Sequence, residues 1–212
     1  MRASADEFPQ AEAALGYALR LQADRESDWS KRNQLYAQAE QHLLNALQRD
    51  PQARDINGAS FYATLGGLYR RQGRLDDAIR AYEAASHVTP HSSYPLNNIA
   101  MLHLMKGDWQ SAEAAFRKSL RIAARAVDGD PFDYWARFDL ITAYVALNND
   151  EQAEDQMELL AESPPSIGAL EAFLSGLEAL KKAQRPASAR FIARVKALID
   201  QQRALQPAQD HS

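Results

Sequence analysis

Apolar positions recur along this chain at a spacing far longer than a helical turn. Leu65, Ile99, Leu140 and Leu174 stand 34, 41 and 34 residues apart. In the same frame small residues fall on Ala78, Ala112, Ala153 and Ala187, each followed four places later by a bulky one at Tyr82, Phe116, Met157 and Phe191. A small residue where two helices touch, beside a large one that fills the gap, packs densely. The pattern predicts helix pairs repeated along the chain. Gly73, Gly107, Pro51, Pro90, Pro131, Pro164, Pro165 and Pro186 fall at the expected turns. No segment alternates with the two-residue period of a strand.

The best-marked stretch is Tyr62, Leu65-Gly66-x-x-Tyr69, Ala78, Tyr82, Ala85 and Pro90. It resembles the tetratricopeptide repeat (TPR), whose punctuation is W-x2-L-G-x2-Y…A-x3-F…P over about 34 residues. The resemblance extends over residues 59–165. It implies an all-α fold, a right-handed α-solenoid of helix–turn–helix units. Leu65, Gly66, Tyr69, Ala78, Tyr82, Ala112, Phe116 and Ala153 would be its repeat-packing residues. Residues 1–212 are expected to form one solenoid, with a stretched repeat at 9–52 and further repeats at 59–92, 93–130 and 134–165. A capping helix pair at 167–205 and a disordered tail at 206–212 complete the division.

The flanks depart from the pattern. Leu15-Gly16-x-x-Leu19 looks like the start of a unit, and Ala39, Leu43, Ala46 and Pro51 look like its end, with 11 extra residues between the halves. Two lengthened helices, or one long loop containing Trp29, would absorb them. The 7 extra residues before Leu140 suggest that the helix carrying Phe116, Leu120 and Ala124 runs on through Ala126. It should stop at Asp128-Gly129-Asp130-Pro131, with Gly as C-terminal cap, Asp as the next N-cap and Pro in the first turn beyond. The last unit has Glu178, Arg194 and Ile199 where the family has an aromatic, a small residue and proline. Terminal repeats are usually atypical because one face meets water.

A net charge of −4 argues against nucleic acid as a partner. Arg117, Arg121 and Arg125 line one side of a helix beside Lys118, and Lys181-Lys182 form a second basic group; solvated outer faces explain both. The absence of cysteine removes disulfides and thiolate chemistry. No apolar run reaches the ~18 residues of a membrane span and no leader pattern opens the chain, so a soluble, cytoplasmic protein is expected, with no direct membrane insertion.

Catalytic and metal chemistry find little support. His87 and His91 have i, i+4 spacing, but Pro90 between them should end the helix. His103 occupies the repeat's aromatic position and reads as a packed core residue. Asp128, Asp130 and Asp133 lack the rest of a calcium loop, and capping accounts for them. Ser111 and Ser119 have no paired base. The expectation is a protein that is no enzyme, has no metal site and needs no cofactor.

In the resembled family the first helix of each unit lines a concave face. By frame, that face would take Gln10, Ala13, Tyr17 and Arg20 from the stretched unit, Ser60, Ala63, Gly67 and Arg70, then Tyr94, Asn97, Met101, Leu104 and Met105, then Trp135, Phe138, Thr142 and Val145. The family's chaperone-type carboxylate clamp needs basic residues and asparagines at positions that here hold Ala63, Gly67, Asn98, Trp135 and Asp139, so only one asparagine matches. A groove with Tyr94, Met101, Met105, Trp135 and Phe138 as apolar anchors is expected instead. Asn97 would be free to bond a peptide backbone, with Thr142 and Arg70 beside the anchors. The alternative is that these side chains are interior, or that the chain's own terminal helix covers them. The function implied is a scaffold holding another protein or peptide, with self-association open. The second possibility is a soluble regulatory or assembly segment of a larger multidomain or membrane-associated protein.

Overall fold

A computed structural model describes residues 8–183 and 188–205; Pro186, Ala187 and the expected disordered tail lie outside them. The described residues form ten helices. They are α1 (Pro9–Arg25), α2 (Trp29–Arg49), α3 (Phe61–Arg71), α4 (Leu75–Val88), α5 (Tyr94–Met105), α6 (Trp109–Gly129), α7 (Tyr134–Ala146), α8 (Asp150–Glu162), α9 (Ile167–Lys182) and α10 (Ser188–Leu205). The fold is all-α, with no strand element among the described residues. The helices belong to two compact units, Met1–Pro90 with α1 to α4 and His91–Ser212 with α5 to α10.

In the first unit α1 packs along α2 and α3 along α4. Three residues, Glu26 to Asp28, join α1 to α2, so the 11 extra residues lengthen both helices and Trp29 begins α2. The Asp28 carboxylate accepts from the Lys31 backbone N–H at 2.8 Å and caps the start. The helix contact depends on an absent side chain. A Cβ on Gly66 would lie 2.8 Å from the Tyr82 ring, and one on Gly16 would lie 2.8 Å from Leu43 Cγ and 3.0 Å from the Ala39 carbonyl oxygen. Gly16 thus meets α2 as Gly66 meets α4. Leu15 does not repeat the role of Leu65: it is exposed, whereas Leu65 is buried. Between α2 and α3 the chain forms a small loop. There the Asp55 carboxylate accepts from the backbone of Asn57 and Ala59, and Arg54 donates to the Val88 carbonyl oxygen at 2.6 Å.

In the second unit α5 packs on α6, α7 on α8 and α9 on α10, with α5, α7 and α9 also in contact. Ala112, Phe116, Ala153, Met157 and Phe191 are fully buried. α6 runs to Gly129, beyond Ala126 as its extra length suggests. Its end is built differently from the expected cap. Gly129 is not among the positive-φ glycines. Asp130 instead accepts from Phe132 N–H, and Asp133 is the residue that caps α7, accepting from Ala136 N–H at 2.9 Å. Pro131 therefore belongs to the turn and not to the next helix. Around α10, Arg194 pairs with Glu154 of α8, Arg190 with Asp150, and Lys196 with Glu178. Two of the residues that break the repeat pattern, Glu178 and Arg194, are thus engaged in ion pairs, and the third, Ile199, is buried.

One turn recurs three times. Gly73, Gly107 and Asn148 hold positive φ angles of 74°, 76° and 60°. Behind each, a backbone N–H reaches back five residues: Arg74 to Tyr69, Asp108 to His103 and Asn149 to Tyr144, all at 2.9 Å. This is the left-handed helix stop that glycine allows without steric cost and that asparagine tolerates. His103 stands where Tyr69 and Tyr144 stand; like Tyr144 and unlike Tyr69 it is half-buried, and it lies 3.4 Å from Asp108. A polar ring at a turn can reach a carboxylate, so it is not the packed core residue expected.

Two glycine substitutions should have opposite signs. Gly66→Ala must displace the Tyr82 ring and should lower stability by about 1–3 kcal/mol. Gly176→Ala lies within α9 with nothing near its Cβ position and should raise stability by about 0.5–1 kcal/mol. Chemical denaturation of the two variants checks the pair; equal shifts would contradict the helix contact.

Candidate functional site

The residues expected to line a groove divide by burial. On α5 and α7, Tyr94, Met105 and Trp135 are exposed at 46%, 57% and 53%. Met101, Phe138 and Thr142 are buried. These three cannot serve as surface anchors: they hold the second unit together. Thr142 turns its hydroxyl to the Phe138 carbonyl oxygen at 2.7 Å. The Phe138 ring stacks on Phe173 of α9, with centroids 4.4 Å apart and planes at 5°. For Phe138, then, a later helix of the same chain covers the ring. Val145 is buried for the same reason, being on a helix enclosed on most sides. In the first unit Ser60, Ala63 and Gly67 are buried, while Arg70 and Tyr17 are exposed.

Trp135 is held without being buried. Its ring meets Phe138 edge-on at 5.6 Å and 90°, and Tyr134 at 5.2 Å. Such contacts orient an aromatic side chain and are worth about 0.5–1.5 kcal/mol each. Arg137, buried beside it in sequence, donates to Gln156 at 2.7 Å and to the Pro131 carbonyl oxygen at 2.6 Å. That bond fastens the turn preceding α7 to the helix. Burial lowers the pKa of this guanidinium from its ordinary value. Phe132, in the same turn, is strongly exposed. The sequence frame passed over it because it belongs to neither helix, although an aromatic between Pro131 and Asp133 has no helical face on which to be buried.

Asp139 and Asn97 are committed to each other. Ser93 donates to Asp139 Oδ2 at 2.7 Å, and the Asn97 side chain donates to the same carboxyl group. The Ser93 carbonyl oxygen accepts from Ser119 on α6 at 3.4 Å. Burial pushes the Asp139 pKa up to about 7, against the two hydrogen bonds that favour the charged form, and the nearby Asp133 adds to the rise. The Asn97 side chain thus faces Asp139, and its Oδ1 is buried without a hydrogen-bond partner. Asp139 lies inside the unit and not on a surface open to a ligand.

Of the remaining candidates, His87 falls in the last turn of α4, which ends at Val88 before Pro90. Among the described residues no group of three His, Asp or Glu side chains could hold a metal ion. No helix among them is long and apolar enough to cross a membrane.

Glycine or alanine opposite a bulky side chain, with a left-handed stop between the helices of α3–α4, α5–α6 and α7–α8, is the pattern of the tetratricopeptide repeat. The family model of the tetratricopeptide repeat matches residues 64–127, from within α3 to near the end of α6, so this segment carries tetratricopeptide repeats. No curated protein sequence matches it significantly. Among solved structures it is similar to BtubC (BKLC) from P. vanneervenii, at 22% identity over 98% of this chain and 89% of that one, with a TM-score of 0.52. It is also similar to Pseudomonas aeruginosa PilF, at 18% identity over 94% of this chain and 82% of that one, with a TM-score of 0.51. Likeness at these identities establishes the fold alone.

The buried Asp139 makes stability depend on pH. The folded chain holds this proton up to about pH 7, while the unfolded chain releases it near pH 3.9. Its contribution is complete below about pH 4 and declines as pH rises to about 7. Asp139→Asn keeps an oxygen for Ser93 but carries no charge. Relative to wild type, this variant should gain in melting temperature between about pH 5 and about pH 8. A difference that stays constant over that range would contradict the assignment.

Proposed function

We propose that this chain is a non-enzymatic protein-interaction scaffold whose second unit holds a peptide or amphipathic helix of a partner on the exposed side of α5 and α7. The observation that carries this is the exposure of Tyr94, Met105 and Trp135 on these two first-of-pair helices, with Trp135 oriented by the buried Phe138. Large apolar side chains left exposed on neighbouring helices suit an interaction site, and tryptophan and tyrosine are over-represented where binding energy concentrates. Tetratricopeptide repeats commonly bind other proteins or peptides, which supports the class of partner. Covering three such side chains at roughly 1.5–3 kcal/mol each, less the cost of association and ordering, suggests micromolar affinity.

Affinity capture from the source lysate tests the proposal, with wild type and a Trp135→Ala/Met105→Ala variant compared after circular dichroism confirms that both are folded. Trp135→Ala should weaken binding of the captured partner by about ten-fold or more while costing only about 1 kcal/mol of stability, the worth of its ring contacts. Equal capture by both chains, or a loss of folding as large as the loss of binding, would overturn it.

A further inference from the structure

The first unit contains a polar cavity that the scaffold reading does not use. Its volume is about 900 Å³, and it is lined by Asp24 of α1, by Trp29, Arg32, Asn33 and Tyr36 of α2, and by Arg71, Gln72 and Arg74 at and beyond the end of α3. The α2 residues have i, i+3, i+4, i+7 spacing, so a single helical face supplies them. The size is that of a ligand pocket.

Its floor and far wall are tied in place. Asp24 accepts from Arg20 at 2.8 Å, from Arg71 Nε at 2.7 Å and from the Tyr36 hydroxyl at 2.9 Å. Arg71 also donates to the Gly67 carbonyl oxygen at 3.0 Å. Arg74 lies over the Tyr69 ring at 4.1 Å and pairs with Glu40 and Asp77, and Asp77 pairs in turn with Arg80. The near wall differs. Arg32 and Asn33 are half-buried, and no hydrogen bond or ion pair holds either side chain among the described residues. Beside them the Trp29 ring is 70% exposed at the mouth.

The charges of this region are the reverse of the chain's. Arg32, Arg71 and Arg74 on the lining stand against the single carboxylate of Asp24. Around it Arg20 and Arg80 balance Glu40 and Asp77. Glu26 and Asp28, which keep their charges while accepting from backbone N–H groups at the start of α2, are matched in sequence by Arg25 and Lys31. A positive recess on a chain of net charge −4 draws acidic groups toward it. A partly desolvated guanidinium without a partner matches a carboxylate bidentately. The neighbouring Asn33 amide offers both a donor and an acceptor, as a peptide bond requires.

We propose that this recess is a second docking site, for an acidic segment of a partner protein, in which Arg32 and Asn33 take a Glu or Asp side chain and its backbone while Trp29 packs on an apolar residue beside it. The site is independent of the α5 and α7 surface.

The test uses the full chain and a defined probe: an octapeptide of alternating Glu and Leu, amidated at its C-terminus. The chain has three tryptophans, Trp29, Trp109 and Trp135, whose indole N–H resonances report separately in a proton–nitrogen correlation spectrum, with Trp29→Phe supplying the assignment. The Glu peptide should shift the Trp29 resonance saturably and leave that of Trp135 in place. Arg32→Glu should weaken this binding by about ten-fold or more, and Arg32→Gln should weaken it less, with melting temperatures confirming that both fold. The counterpart peptide with Gln for Glu should have no effect, nor should inorganic phosphate at the same concentration, and Trp135→Ala should bind as wild type does. The proposal is overturned if Trp29 does not respond, if Arg32→Glu binds equally, if the Gln peptide or phosphate reproduces the shift, or if Trp135→Ala abolishes it.

Discussion

How closely two helices approach is decided by what stands opposite a bulky side chain, and in this chain the answer is repeatedly almost nothing. Tyr82 lies against the bare α-carbon of Gly66, and Leu43 against that of Gly16. Ala78, Ala112 and Ala153 are fully buried in the same repeat position of successive hairpins. Dispersion energy falls steeply with separation, so a close helix pair holds itself together over a short length. Short helices such as α3, with 11 residues, could not persist alone in water.

The turns follow from the same economy of length. A helix that must stop and reverse within three or four residues needs its last carbonyl oxygens satisfied by the chain itself, and the left-handed residue at Gly73, Gly107 and Asn148 achieves this. Elsewhere side chains do the work, with Asp28, Asp108, Asp133 and Ser166 each accepting from a backbone N–H at a helix start. Polar residues are thereby drawn to the hairpin ends, and α7 can be enclosed by apolar contacts along most of its length.

Much of this was legible in the sequence because it is local. Alanine where helices touch and glycine where they turn follow from distances of a few ångströms within one hairpin. The 11 extra residues of the first hairpin announced extra length but not its form, since nearly three helical turns and a loop fit the same count; the burial of Tyr36, Ala39, Leu43 and Ala46 along α2 resolves it. The candidate site was legible only in part. Trp135 and Phe138 are one helical turn apart on one face of α7 and look equivalent in the frame. Phe173 of α9 stacks on Phe138, which is buried, while Trp135 stays half exposed. Likewise nothing adjacent in sequence tells that Asn97 serves Asp139 on another helix. Contacts between distant segments decide which side chains remain free, and periodicity does not encode them.

The bond from Arg54 to the Val88 carbonyl oxygen gives the loop between α2 and α3 a mechanical role. It joins the beginning of one hairpin to the final turn of its second helix, so the ends of α3 and α4 that lie farthest from their connecting turn are clasped together. Fraying normally starts at a helix terminus, where amides open individually. Here the last turn of α4 cannot loosen without releasing Arg54, and the Asp55 turn beside it is drawn into the same event. Loop and helix end are thereby made to open as a single cooperative unit.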